Sequence, residues 1–277
     1  MAIKAEILAD SISPAGVRLT TLLCEYPRFI HSELMTHRVF SRNAASSRAI
    51  PPEKQIQRII DDPFVPVFGS RVAGMGEGEL DDLSQDAARR TWLLARDSAV
   101  DYAKVLNKLG TDKSRINRLL EPFSWITVII TATEWSNFFA LRDHPAAQGE
   151  FQQLARAMRE AMDVHTPREL RHGQWHLPLV KIGGRTTDWE VAKKLCVSRC
   201  ARVSYDKQHD EEPLEKSLER YDRLLESGHF SPFEHAARPV FGNEGFMMMI
   251  GNFRGWFQHR YEIPHQEDYG KMLEDHR

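Results

Sequence analysis

The chain has 277 residues, with 37 Lys and Arg against 39 Asp and Glu, a formal charge of −2 and 42% hydrophobic residues. That is the composition of a globular protein rather than a disordered one, and the near balance of charge removes any general case for nucleic-acid binding. No apolar run approaches the roughly 20 residues that span a bilayer, the opening MAIKAEILADSISPAG lacks the apolar core of a signal peptide, and three scattered cysteines (Cys24, Cys196 and Cys200) make no disulfide framework. The expectation is a cytoplasmic protein in a reducing compartment with no membrane partner.

In chain order, 4–10 and 18–25 read as strands around the turn Ser13-Pro14-Ala15-Gly16. A short helix at about 28–37 carries Ile30, Leu34 and Met35 on one side. Residues 38–54 are polar, rich in Ser, Arg and Asn, and end in Pro51-Pro52; they form a loop or a broken helix. A glycine-rich stretch, 69–78, precedes the strongest helix. Its apolar positions run from Leu83 to Leu106, with Asp81 and Asp82 favouring the positive end and Gly110 as the stop.

A further helix begins near 114, and 126–131 (ITVIIT) fits a strand or a buried helix equally well. Pro145 opens a helix to about Met162. Residues 165–187 are loop-rich, with Gly173, Gly183 and Gly184, and mark an internal boundary or a lid between 1–164 and 188–277. A helix at 213–227 starts on Pro213, and Met247–Ile263 returns to the core as a strand and a helix. The fold class expected is α+β, with helices packed on an antiparallel sheet.

Four segments could carry chemistry. In ELMTHRVFSRNAASSRA (33–49), Arg38, Arg42 and Arg48 stand among Ser41, Asn43, Ser46 and Ser47. Guanidinium groups grip phosphate bidentately, and hydroxyls and amides fill the remaining oxygen shell; the alternative is a solvated basic loop. In 112–122, Arg115 and Arg118 lie about one helical turn apart and could face one anion, or simply coat an exposed helix. Arg142 follows an aromatic run; its partner could be a phosphate, a pyrimidine carbonyl, or Asp143 and Glu150. GHFSPFEH (228–235) holds two histidines and a glutamate, but the spacing is not HExxH, and no metal is expected. Neither GxGxxG nor GxSxG occurs.

Together these segments resemble the flavin-dependent thymidylate synthases, whose signature is RHRxxSxNExSxRY. The chain has THRVFSRNAASSRA, in which His37, Arg38, Ser41, Asn43, Ser46 and Arg48 match, while Thr36, Ala44 and Ala49 replace Arg, Glu and Tyr. NRLLEP (117–122) is similar to the family's ARxxLP, NFFALRDHPAAQGEF to NFLxLRxxxxAQxEI, GHFSPFEH to GHxSxxEH, and CARVSY (200–205) to ARxSY. In typical members the last two elements precede the RHR motif; here they follow it. The chain therefore looks circularly permuted or partly duplicated, and an echo of the early HR pattern, NFRGWFQHR at 252–260, favours partial duplication.

The resemblance implies an enzyme that binds FAD, takes hydride from NADPH and passes a one-carbon unit from methylenetetrahydrofolate to C5 of dUMP, giving dTMP without a protein nucleophile. By position, Arg142 would contact the uracil and stabilise negative charge at N3. Arg118, Ser46 and Arg48 would hold the nucleotide, chiefly its phosphate, and Glu33 sits where the family has a Gln touching dUMP. His37, Arg38, Asn43, Asn137, Ser231 and Glu234 would meet the flavin, with His229 near flavin and folate. Thr131 and Thr133 fall about where members carry an Asn and an Arg for the flavin's adenylate part. A homo-oligomer is expected, because family sites draw on several subunits. Glu33 and Ala44 leave room for hydroxymethylation or for a cytosine nucleotide, and a nucleotide-binding homologue that has lost the flavin is the non-enzymatic alternative.

Overall fold

The computed structural model describes residues 2–72, 77–181, 188–203, 212–241 and 252–264. Part of the glycine-rich stretch, Gly183 and Gly184 of the lid candidate, Ser204 and Tyr205 of CARVSY, and 247–251 of the tail lie outside those residues.

Strands β1 (Lys4–Ile12) and β2 (Arg18–Pro27) form an antiparallel hairpin that pairs Lys4 with Glu25 and Ile12 with Arg18. Gly16 takes the turn position at φ 76°, which a side chain would resist. β6 (Trp125–Ala132) pairs antiparallel with β2 on one side and with β3 (Ser41–Ala44) on the other. With β7 (Arg168–Glu169), which runs parallel to β1, the sheet order is β3-β6-β2-β1-β7. Two small hairpins, β4 (Ser70–Arg71) with β5 (Glu77–Gly78) and β8 (Ala237–Pro239) with β9 (Trp256–Gln258), complete the strands. The α+β expectation holds, and ITVIIT is an interior strand of the sheet, between β3 and β2, rather than a helix.

The helices are α1 (His31–Leu34), α2 (Pro52–Asp61), α3 (Asp82–Lys108), α4 (Lys113–Leu119), α5 (Ser136–Arg142), α6 (Gly149–Asp163), α7 (Trp189–Cys200) and α8 (Leu214–Glu226). The helix expected at 28–37 shrinks to a 3-10 turn and one α-turn. The polar 38–54 segment hides β3 and the start of α2, where Pro51 is the N-cap and Pro52 opens the helix. The helix placed from Pro145 starts at Gly149, and α5 precedes it. At α3 the caps read from sequence hold: the Asp81 carboxylate accepts the Ser84 N–H, and Gly110 sits at φ 72°.

Alternation along the strands buries both sheet faces. Leu22, Cys24, Tyr26, Val128 and Ile130 pack under α5 and α6 against Phe138, Phe151, Leu154 and Met158. On the other face Ile129, Leu8 and Leu23 meet Trp175, Leu177, Cys196 and Cys200, so α7 closes the sheet from the far end of the sequence. Each fully buried Leu, Ile or Phe contributes about 1.5–3 kcal/mol over exposure. A separate cluster joins α2, α3 and α4 through Ile56, Ile59, Ala103 and Ile116. Among the described residues no helix is long and apolar enough to cross a membrane.

Candidate active site

The turn after α1 places His37 at the mouth of the α5–α6 cluster. Its ring lies edge-on to Phe138 at 5.0 Å and stacks on Phe40 at 5.9 Å. Arg142, at the end of α5, donates from Nε to His37 Nε2 at 3.1 Å, and its guanidinium lies 4.5 Å from the centre of the Phe151 ring. An accepting Nε2 requires a neutral ring protonated at Nδ1. Burial, then Arg142 and Arg42, push the His37 pKa down to about 4. Asp143, an open alternative partner for Arg142, is engaged by Arg156 at 2.9 Å and Arg159 at 3.0 Å instead. Among the described residues no ion pair neutralises Arg142, so a fixed cation stands against aromatic walls. Arg42, grouped with the phosphate-binding arginines on sequence grounds, has a different task. Its Nη1 donates to the carbonyls of Leu34 at 3.0 Å and His37 at 3.1 Å, clamping the turn that carries His37.

The late GHFSPFEH segment folds against β3. Its 3-10 turn, Ser231–Glu234, brings Ser231 Oγ to Asn43 Oδ1 at 3.1 Å, while Asn43 Nδ2 donates to the Cys200 carbonyl at 2.6 Å. Glu234 forms an ion pair with Arg260, part of the 252–260 echo. His259 of that echo is buried and bonds Tyr221 Oη at 3.0 Å, so this second HR pair braces the turn. Gln258 has no signal in the sequence, yet its Nε2 bridges Ser41 Oγ at 3.1 Å and the Glu234 carbonyl at 3.2 Å.

Behind this turn runs a buried chain of side chains through the sheet. Ser11 Oγ meets His176 Nδ1 at 2.9 Å, His176 Nε2 meets Thr21 Oγ1 at 2.8 Å, Thr21 meets Thr131 Oγ1 at 2.7 Å, and Thr131 meets His235 Nδ1 at 2.7 Å. Burial is the main cause that pushes both histidines down to about 3. His235 Nε2 has no hydrogen-bond partner among the described residues. Thr131 is wholly buried, and its hydroxyl ties β6 to the turn through His235. Thr133, half-buried, accepts the Arg254 N–H at 3.2 Å.

Ser46 and Arg48 are exposed on the segment after β3. Asn117, missed on sequence grounds although it adjoins Arg118, donates from Nδ2 to the carbonyls of Ser47 at 2.7 Å and Ile50 at 2.9 Å. That ties the segment to α4, where Arg118 is also exposed, and both Arg115 and Arg48 act electrostatically on Asp112. Behind the segment lies a cavity of about 70 Å³. Asn117 Oδ1 and Trp125 Nε1 line it without partners among the described residues, and Ser47 of the 33–49 segment borders it.

The fold therefore joins His37 with Arg142, Asn43 with Ser231 and Glu234, and the Ser46–Arg48 segment with Arg118. Arg38, Asn137 and His229 are exposed, and His229 Nδ1 bonds Ser227 Oγ at 2.8 Å. Glu33 is half-buried, and its Oε2 has no partner among the described residues. No set of three or more His, Cys, Asp or Glu among the described residues is arranged to hold a metal.

No curated protein matches the chain in sequence. Among solved structures, the UMP/dUMP methylase PolB from Streptomyces cacaoi bound with 5-Br UMP is 18% identical, covering 58% of this chain and 88% of its own, with a TM-score of 0.49. The same methylase bound with 5-Br dUMP is 18% identical, covering 58% and 90%, with a TM-score of 0.48. A family model described as thymidylate synthase complementing protein matches residues 12–168, more than half of the chain. The chain belongs to that family, the flavin-dependent thymidylate synthases.

Proposed function

We propose that the protein methylates dUMP at C5 to form dTMP, with FAD as its cofactor and NADPH and methylenetetrahydrofolate as co-substrates. The observation that carries the reading is Arg142, a guanidinium that no described carboxylate neutralises, held by neutral His37 at 3.1 Å against the Phe151 face. A cation fixed against an aromatic face stabilises an anion developing at N3 of uracil, which raises electron density at C5. Arginine stays charged at any working pH and does this without titrating. His37 acts as a positioning residue: neutral, it accepts from Arg142, whereas protonated it would repel it.

Ser46, Arg48 and Arg118 bind the 5′-phosphate, and Asn117 sets their spacing through the Ser47 and Ile50 carbonyls. The exposed donors Arg38, Asn137 and His229, beside the Asn43–Ser231 pair and Glu234, fit a dinucleotide with a pyrophosphate and a polar ring edge. FAD bound there would supply the redox chemistry of the reaction. The chain's own residues orient the two ligands, with the Phe151 ring backing Arg142. The co-substrate assignments and the homo-oligomer rest on family membership.

Glu33 motivates a second reading. A carboxylate oxygen that is buried and unpartnered among the described residues suits an exocyclic amino group better than a carbonyl, which favours a cytosine nucleotide. One assay separates the two readings. Purified protein with FAD, NADPH and methylenetetrahydrofolate receives dUMP or dCMP, and the products are resolved by chromatography and mass. The proposal expects dTMP from dUMP. Consumption of dCMP alone replaces it with the second reading, a hydroxymethylated product from dUMP overturns the methylation step, and no turnover with a colourless protein rejects flavin-dependent catalysis.

A further inference from the structure

The cavity behind the Ser46–Arg48 segment carries two polar atoms that the nucleotide reading does not use. Asn117 is only 2% exposed, and both of its Nδ2 bonds go to the Ser47 and Ile50 carbonyls. Its Oδ1 is a buried acceptor with no partner among the described residues. Trp125 Nε1, at the start of β6, is a buried donor in the same condition. Both residues line the same space of about 70 Å³. A buried polar atom left unpaired is costly, so the pair calls for an occupant that donates once and accepts once.

Charge and size narrow the class of that occupant. On the walls Arg28 faces Glu121 at 3.1 Å, Glu25 faces Lys4 at 2.6 Å, and Arg58 and Asp62 are both engaged. With these charges paired, the cavity suits a neutral group better than an ion. Ala45, Ile50 and Ile59 add an apolar wall, which favours carbon over water. The volume equals that of about two waters in the liquid, enough for a planar group of about three non-hydrogen atoms. Arg28, Arg58 and Glu121 are half-buried, so the cavity opens to the surface on their side.

The geometry points to a binding site for a primary carboxamide, whose N–H donates to Asn117 Oδ1 and whose carbonyl accepts from Trp125 Nε1. The carbon that bears the amide lies toward the mouth. Asn117 also holds the segment that carries Ser46 and Arg48, so an occupant steadies that segment and tightens nucleotide binding. This coupling rests on the phosphate role proposed for Ser46 and Arg48; the site itself does not. A free small amide and a carboxamide borne on a ring share the chemistry, and acetamide and nicotinamide tell them apart.

The test uses the full chain labelled with nitrogen-15, in which each of the 6 tryptophans gives one indole N–H signal. Trp125→Phe identifies the signal of Trp125. Acetamide is expected to shift that signal saturably, with a Kd of about 1–10 mM, a range open to so small a ligand. Acetone, which lacks the N–H, and acetate, which is charged, should bind about tenfold more weakly or worse. Nicotinamide that shifts the same signal shows that the mouth admits a ring; nicotinamide without effect limits the site to free small amides.

Thr127→Leu fills the cavity from a strand whose backbone pairing with β2 it leaves intact, and should weaken acetamide about tenfold or more. If that variant does not fold, Ala45→Val makes the same test from the opposite wall. Saturating acetamide should tighten dUMP about fivefold in calorimetry, and dUMP should tighten acetamide by the same factor. A Trp125 signal that does not saturate, that moves in step with the other indoles, or that answers equally to acetone overturns the site. So does unchanged acetamide affinity in the filled variant. Unchanged dUMP affinity under saturating acetamide overturns the coupling. A chain that binds acetamide but no dUMP refutes the nucleotide reading instead and leaves the site standing.

Discussion

Thr131→Val removes one hydroxyl from the middle of the buried chain and keeps the side-chain shape. Thr131 Oγ1 meets two groups, Thr21 Oγ1 at 2.7 Å and His235 Nδ1 at 2.7 Å. Thr21 retains His176 at 2.8 Å, so its loss is a single hydrogen bond, about 1 kcal/mol. His235 fares worse, because its Nε2 already has no partner among the described residues, and the substitution strands a buried imidazole. Stranding adds about 1–3 kcal/mol, for a total of about 2–4 kcal/mol. For a chain of this size that corresponds to a Tm about 3–7 °C lower. Urea titration at pH 7.5, followed by tryptophan fluorescence, measures the free energy directly. Thr131→Ser retains the hydroxyl and should recover most of the loss. If Thr131→Val costs under about 0.5 kcal/mol, the chain of hydrogen bonds does not hold the 231–235 turn, and the role given to Thr131 fails.

Arg142→Gln keeps a polar group but loses the charge, so dTMP formation should fall by about 100- to 1,000-fold in kcat with modest change in KM. An unchanged initial rate would remove Arg142 from the chemistry. Arg48→Ala and Arg118→Ala should each raise KM for dUMP about tenfold or more while leaving that for deoxyuridine unaltered; equal effects on both substrates would deny a phosphate role. Stability should also depend on pH. His31 and His37 are held down to about 4, and His176 and His235 to about 3, so between those values and about 6.5 the unfolded chain binds more protons than the folded one. Stability is therefore full above about pH 6.5 and is lost as pH falls toward 4. A urea midpoint that stays flat from pH 7 to pH 4.5 would contradict the burial of these rings.

What the sequence reveals depends on how local the determinant is. The β1–β2 hairpin and α3 are readable because turn, cap and period lie within each segment: Gly16, Asp81 and Gly110 do what their chemistry suggests. ITVIIT stays ambiguous until β2 and β3 are known to flank it, since a continuous apolar run suits either a strand or a helix buried on all sides. β3 escapes notice because SRNA has no β-branched residue, and its pairing is imposed by β6. α2 is obscured by Pro51-Pro52, which punctuates a loop in sequence but opens a helix in space. In the site, the family motifs single out His37, Arg142, Asn43 and Ser231. Arg42 reads as a phosphate arginine and instead clamps the nearby turn, while Asn117 and Gln258 reach distant backbone carbonyls and a hydroxyl, and their letters carry no signature. The order of the motifs would suggest separate halves, yet the late turn packs directly on β3.

That packing sets a timetable for the chain as it is made. The strands of the central hairpin, β3 and β6 are all available once Ala132 has been synthesised, whereas Asn43 must wait for Ser231, 188 positions later. At about 5–20 residues per second, the roughly 100 residues between those points take about 5–20 s to synthesise. Until Cys200 has been made, the face bearing Ile129, Leu8 and Leu23 lacks the cover that α7 will bring. A nascent chain of this protein thus carries an apolar sheet face that only a later segment covers. Its ligand-binding surface is completed only once Ser231 has been made.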